Sequence, residues 1–298
     1  MAEVAGAPVR GARTAARGRA REAWSRLLFG VGGIGAALVL VASVAAVAAP
    51  WVAPYDPLAL APADRLQGPT SEHWLGTDQY GRDTLSRIVH GGRASLSVAF
   101  ASVAFALLVG GTLGALAGFY RGVVDGVVMR VTDVLLSFPA ILLAIALLAF
   151  LGGGFVNLVL AIGVVYVGPF ARVARAAVMT VREEQYVEAA RSLGARDLRI
   201  LAAAVLPGAA APLLVETTLR LAYAILAEAS LSFLGLGTQP PTPSWGMMIA
   251  EGRRFLALAP WATVAPGLAI VLVVLGFNLL GDGLRDALDP RLRGRGRA

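Results

Sequence analysis

Six apolar runs, at residues 28–49, 95–119, 134–151, 155–171, 209–233 and 261–281, dominate this chain. Each is close to the roughly 20 helical residues that cross about 30 Å of hydrocarbon at about 1.5 Å rise per residue. One soluble core of 298 residues needs far less apolar material than this, for 57% of the chain is hydrophobic and only 15% is charged. The expected fold is therefore all-α, a polytopic membrane protein with six transmembrane helices. It divides into a basic tail (1–27), a first span (28–49), a long outer loop (50–94), a core of five spans (95–281) and a second basic tail (282–298). A small-x-small sequence at Ala46-Val47-Ala48 ends the first run like a signal-peptide site. The run is longer than an ordinary signal core and further spans follow, so it is expected to remain as an anchor.

The charges give the sidedness. The chain has no Lys, and its 26 basic residues are all Arg. With both termini in the cytoplasm, 19 Arg lie inside and 6 outside, with Arg220 within a span; the positive-inside rule favours that orientation. The net charge of +7 thus records loop orientation rather than nucleic-acid binding. Trp51, Trp74, Trp245 and Trp261 then fall on the outer side, where their rings suit the headgroup region. In the first outer loop, Arg82, Asp83, Arg87 and Ile88 recur at helical spacing and predict an interfacial helix towards residue 93. In the second, Gln239 to Trp245 is proline-rich and predicts an extended stretch.

Enzyme chemistry finds few footholds. Without Lys the chain has no standard P-loop, so ATP hydrolysis, if used, belongs to another polypeptide. Nucleophile elbows, zinc-protease motifs and Ser–His pairs are lacking. With no Cys and only His73 and His90, neither a thiolate nor a histidine-rich metal site is expected. The chain is read as a non-enzyme with no catalytic residue, metal or cofactor of its own.

The inner loop 182–207 carries the strongest pattern. Tyr186, Ala189, Ala190 and Leu193 fall at i, i+3, i+4 and i+7, with Glu183, Glu184, Glu188, Arg191 and Ser192 on the other face. This predicts a short amphipathic helix, a turn at Gly194, and a second helix from Ala195 to Val205 that enters the membrane at Leu206-Pro207. Periodicity alone leaves two roles open, docking on a partner or lying on the lipid surface. In the fifth span, Glu216 and Arg220 form an i,i+4 pair, and Glu228 lies about 80° further round and about 12 Å further along. Charges there are costly in lipid, so all three are expected on one broad face, lining a path or seating the helix on a neighbour.

The string Glu188-Ala189-Ala190-Arg191-Ser192-Leu193-Gly194, followed by Val205-Leu206-Pro207, resembles the EAA loop of bacterial ABC-importer permeases. One departure is Ala204, where that pattern usually has a bulkier residue. His73 to Asp83 and Glu228 to Gly237, the latter running into Pro240 to Gly246, are similar to the C-type permease of dipeptide, oligopeptide and nickel importers. The resemblance covers about residues 28–290. It implies an inner-membrane permease for peptides, or for nickel or another small solute. It also implies a heterodimer with a second, related permease, two cytoplasmic ATPases and an extracytoplasmic solute-binding protein. Tyr186, Glu188, Ala189, Ala190, Leu193, Gly194, Leu206 and Pro207 are then the ATPase-coupling residues. An ion-coupled secondary transporter using Glu216 and Glu228 as relays is the rival from another class.

Overall fold

The computed structural model describes residues 30–288. The predicted tail 1–27, the start of the first run and residues 289–298 lie outside the described residues. Those described fold as helices and loops with no strand, and the helices are α1 (Val31–Val47), α2 (Ala49–Val52), α3 (Thr84–Tyr120), α4 (Gly122–Ser137), α5 (Ala140–Leu151), α6 (Phe155–Arg182), α7 (Gln185–Ser192), α8 (Asp197–Ile200), α9 (Leu206–Phe233), α10 (Trp245–Gly252) and α11 (Trp261–Leu288). Four helical runs are individually long and apolar enough to cross a membrane: α3, α6, α11 and the continuous run Asp197–Phe233. The α4–α5 pair makes a fifth only if counted as one broken span, and α1, at 17 residues, is a shorter apolar helix.

Three boundaries differ from expectation. The third span is not straight: α4 and α5 meet at 93°. Pro139 is the cause, because the residue before a proline is pushed out of the helical region, and Phe138 adopts φ −91°, ψ 140°. The outer interfacial helix is not a separate element. Residues 84–93 are the first turns of α3, since Asp83 caps them by accepting from the Ser86 N–H at 2.7 Å and no breaker follows. Their Arg87 is enclosed rather than facing headgroups. The second loop helix is also not an independent unit; α8 runs through a π-helical turn, Leu201–Val205, straight into α9. Pro207 lies inside that continuous run, directly after the π-helical turn, and the chain does not break there.

Helices α3 and α6 form the tightest packing seam. Gly110, Gly114 and Gly118 recur every fourth residue, and a Cβ at these positions would sit 2.3, 2.1 and 2.7 Å from the backbone oxygens of Val167, Ala171 and Arg175. Only glycine admits that approach, which is how small residues at four-residue spacing join helices in lipid. Phe170, Leu158, Ile162, Ile225 and Phe277 fill the core around this seam. Helix α1 crosses α11 with the same economy of side chain, Gly35 lying against the backbone of Gly276 and Leu280.

Beyond Thr84, residues 53–83 and α10 build a cap. Asp78 accepts from Arg82 at 2.7 Å and from Arg87, and Glu251 accepts from Arg82 at 2.9 Å and Arg87 at 3.0 Å. His73 bonds Asp83 at 2.9 Å, so it holds the α3 cap residue rather than facing the interface. Trp245 and Trp261 are structural as well: their indole N–H groups donate to the carbonyls of Ile88 and Thr77, and Trp245 is buried. Trp51 and Trp74 are exposed, as a headgroup position requires.

Candidate functional site: the 183–207 element and the charges of α9

At the far end of α3, helix α7 is rooted by one side chain. Val187 is fully buried against Phe119, Val178, Ile200 and Val205, and Ala190 packs beside it. Sequence periodicity chose the neighbouring stripe instead: Tyr186 is half exposed, Ala189 exposed, and Leu193 is 88% exposed. The helix is therefore turned so that Val187 faces inward and Leu193 outward. Gly194 takes φ +78°, and a Cβ there would touch nothing, so backbone conformation and not space demands glycine. Beyond it Leu198 is also exposed. Glu188 is exposed and has no ion-pair partner among the described residues. Leu206 and Pro207 lie on the open side of the same end, where Tyr186 Oη approaches the Ala204 carbonyl at 3.4 Å. The element is tied to the end of α3 by one exposed ion pair, Arg121–Glu183 at 2.6 Å.

In α9, Glu216 and Arg220 form the expected pair, Oε1 to Nε at 2.6 Å. The Arg220 guanidinium also lies 5.6 Å from the ring centre of Tyr166 and 5.7 Å from that of Tyr223. Glu228 does not share this face. It is fully enclosed, its Oε1 accepting from Ser232 at 2.7 Å and its Oε2 unpartnered among the described residues. Ser95 of α3 and Ser244 border the carboxylate. The extra 80° of helical turn carries Glu228 into the contact with α3 instead of onto the open surface.

Sequence reasoning missed Val187, the Asp78–Arg82–Arg87–Glu251 cluster and the two tyrosines beside Arg220. The Gly110, Gly114, Gly118 spacing was a usable signal for the α3–α6 seam. Nothing in the local sequence links Glu251 to Asp78.

The family of binding-protein-dependent transport system inner membrane components matches residues 110–294, more than half of the chain. The chain belongs to this family. Relatives in the family include the dipeptide transport system permease protein DppC of Alkalihalophilus pseudofirmus, 49% identical over 232 residues, covering 78% of this chain and 76% of that one. The glutathione transport system permease protein GsiD of Pectobacterium atrosepticum is 46% identical over 275 residues (92% and 91% covered). The di/tripeptide transport system permease protein DppC of Pseudomonas aeruginosa is 46% identical over 280 residues (92% of each). A solved structure of the MetNI methionine ABC transporter in an inward-facing conformation superposes with a TM-score of 0.57 at 19% identity, covering 69% of this chain and 98% of that one. That likeness establishes a shared permease fold. The chain is thus a multi-pass inner-membrane transport component whose relatives are permeases, not enzymes.

Proposed function

We propose that this chain is one of two permease subunits of an ATP-driven importer for small peptides, with the 183–207 element as its contact with cytoplasmic ATPases. The observation that carries this reading is the helix–glycine–helix element, which is rooted through Val187 and presents Leu193 and Leu198 uncovered at one end of the molecule. Apolar side chains held in water beside small residues suit a groove on a partner, and a rooted helix passes the partner's motion to α3, α6 and α9. Both termini are then cytoplasmic, and the cap faces a solute-binding protein outside. A second, related permease completes the path, which Glu216 and Arg220 line beside Tyr166, while Glu228 seats α9 on α3. ATP and the loaded binding protein each favour the outward-facing state, since only differential affinity for two states shifts their balance. The peptide substrate is inferred from what the relatives are said to transport.

The test is uptake of labelled dipeptide into proteoliposomes carrying both permeases and both ATPases, with the binding protein on the outside. Uptake is expected only with ATP and the binding protein together. Uptake driven by a membrane potential with the ATPases left out would overturn the reading in favour of ion coupling, and ATP-driven uptake of nickel but not dipeptide would replace its substrate.

A further inference from the structure

The Glu216–Arg220 pair and an apolar pocket share a wall. The pocket has a volume of about 190 Å³ and opens between α5, α6 and α9, with Ile141 from the first turn of α5, Ile162 and Tyr166 from α6, and Leu226, Ala227 and Ser230 from α9 among its walls. Tyr166 belongs to both features, for its ring lines the pocket and lies 5.6 Å from the Arg220 guanidinium. At about 100° per residue, Glu216, Arg220, Tyr223, Ala227 and Ser230 fall within about 80° of one another on α9. Tyr223 and Ser230 are exposed, and the side chains of Glu216 and Arg220 keep 13% and 25% of their surface open. One stripe of the helix therefore presents a carboxylate, a guanidinium, a phenol ring and the mouth of an apolar pocket, in that order along the chain.

We infer that this stripe is a subsite for a zwitterionic peptide bearing an apolar side chain: Glu216 takes the ammonium end, Arg220 the carboxylate end, and the pocket the side chain. The inference rests on the proposed function, which sets Glu216 and Arg220 on the translocation path, and it names what that path selects. Charge complementarity limits the occupant. Without a solute the pair is neutral, as a span in lipid requires. A zwitterion parts the two residues and gives each a new partner, so one ion pair becomes two and the net charge stays at zero. A bare metal cation satisfies Glu216 alone and leaves Arg220 unpaired, which is costly away from water. The pocket selects a second time, by size and polarity. An apolar cavity of about 150 Å³ holds a benzene ring, so this pocket has room for one phenyl or isobutyl group, whereas glycine leaves it unfilled.

The decisive measurement is ATP-driven uptake into proteoliposomes carrying the full complex, from binding protein preloaded with dileucine or with diglycine and normalised to the reconstituted permease. Ala227→Leu and Ser230→Leu each fill the pocket from α9 and are expected to lower dileucine uptake relative to diglycine uptake about tenfold. The same binding protein delivers both peptides to every variant, so a changed ratio belongs to the permease, and misfolding alone leaves the ratio where it was. Glu216→Gln should instead lower uptake of both peptides in the same proportion, because their charged ends are identical. An unchanged ratio in either filled variant, or wild-type uptake in Glu216→Gln, overturns the inference while leaving the proposed function standing. Equal losses of both peptides in the filled variants assign the pocket to packing against the second permease and also overturn it. Failure of the wild-type complex to take up either peptide with ATP and binding protein present defeats both readings.

Discussion

At its Thr84 end, helix α3 enters a cluster of two carboxylates and two guanidiniums in which Asp78, Arg82 and Arg87 are largely out of water and Glu251 is a quarter exposed; at its Tyr120 end it meets residues 183–205 through an apolar patch and one exposed ion pair. The difference is one of mutual dependence. In the cap each charge is tolerated only because the others neutralise it, so the cluster forms as a unit or not at all. At the other end, Val187 anchors α7 by burial alone, and the neighbouring residues are free to meet something else. The cap is held by charges that depend on one another, whereas the 183–207 end leaves Leu193 and Leu198 uncovered.

The sharpest way to break this comparison is to remove one partner from the cap. Arg87→Met leaves the buried Asp78 and the quarter-exposed Glu251 to share Arg82 alone, and Asp78→Asn leaves the buried Arg87 with Glu251 as its one carboxylate. Each is expected to cost about 3–5 kcal/mol, read as lower membrane level and a clear fall in thermal stability in detergent. Loss of less than about 1 kcal/mol in both would mean that water reaches the cluster and that the cap is not a single unit.

Between the two ends, the Glu216–Arg220 pair is partly open and should respond in an intermediate way. Glu216→Gln or Arg220→Gln alone is expected to cost about 2 kcal/mol, by leaving one charge without its partner in the span. The double variant should cost less than the sum, because the survivor is gone as well. Thermal stability across the four proteins gives the coupling directly. Additive losses would mean that Tyr166 and Tyr223 suffice to hold Arg220.

How much of this was legible in the sequence follows the same division. The apolar runs, the α7 helix, the Gly194 turn and the Glu216–Arg220 pair depend on neighbours within a few residues, and periodicity recovers them. Two errors came from single residues that override a smooth pattern: Pro139, which bends the third span, and Asp83, which starts α3 early and absorbs the expected interfacial helix. The facing of α7 was misjudged by one position, since alanine is small enough to lie on either side and Val187 alone decides. The cap was not legible. Asp78 and Arg87 meet Glu251 only after the chain has crossed the bundle, and neither sequence distance nor periodicity relates them. The charges of α9 were legible as a set but not as two environments, because whether Glu228 faces the open side or α3 depends on where Ser95 falls.

The smallest stability effect is expected at the 183–207 end, together with the largest functional one relative to it if that end docks on a partner. Leu193 is exposed and touches little within the chain, so Leu193→Ala should change thermal stability by no more than about 0.5 kcal/mol. Glu188→Lys should do equally little, since Glu188 has no ion-pair partner among the described residues. If residues 183–207 dock on the ATPases, both variants lose co-purifying ATPase and peptide-stimulated hydrolysis, while insertion and pairing with the second permease persist. A helix lying on anionic headgroups makes the opposite forecast for Glu188→Lys, because an added positive charge there is favourable by about 1 kcal/mol. Val187→Ala serves as the internal control: it empties the buried root and should cost about 1–3 kcal/mol, reporting in stability what Leu193→Ala reports in coupling. Normal ATPase recovery and normal stimulated hydrolysis in both surface variants would remove the coupling role from this end and leave its exposed leucines to the lipid.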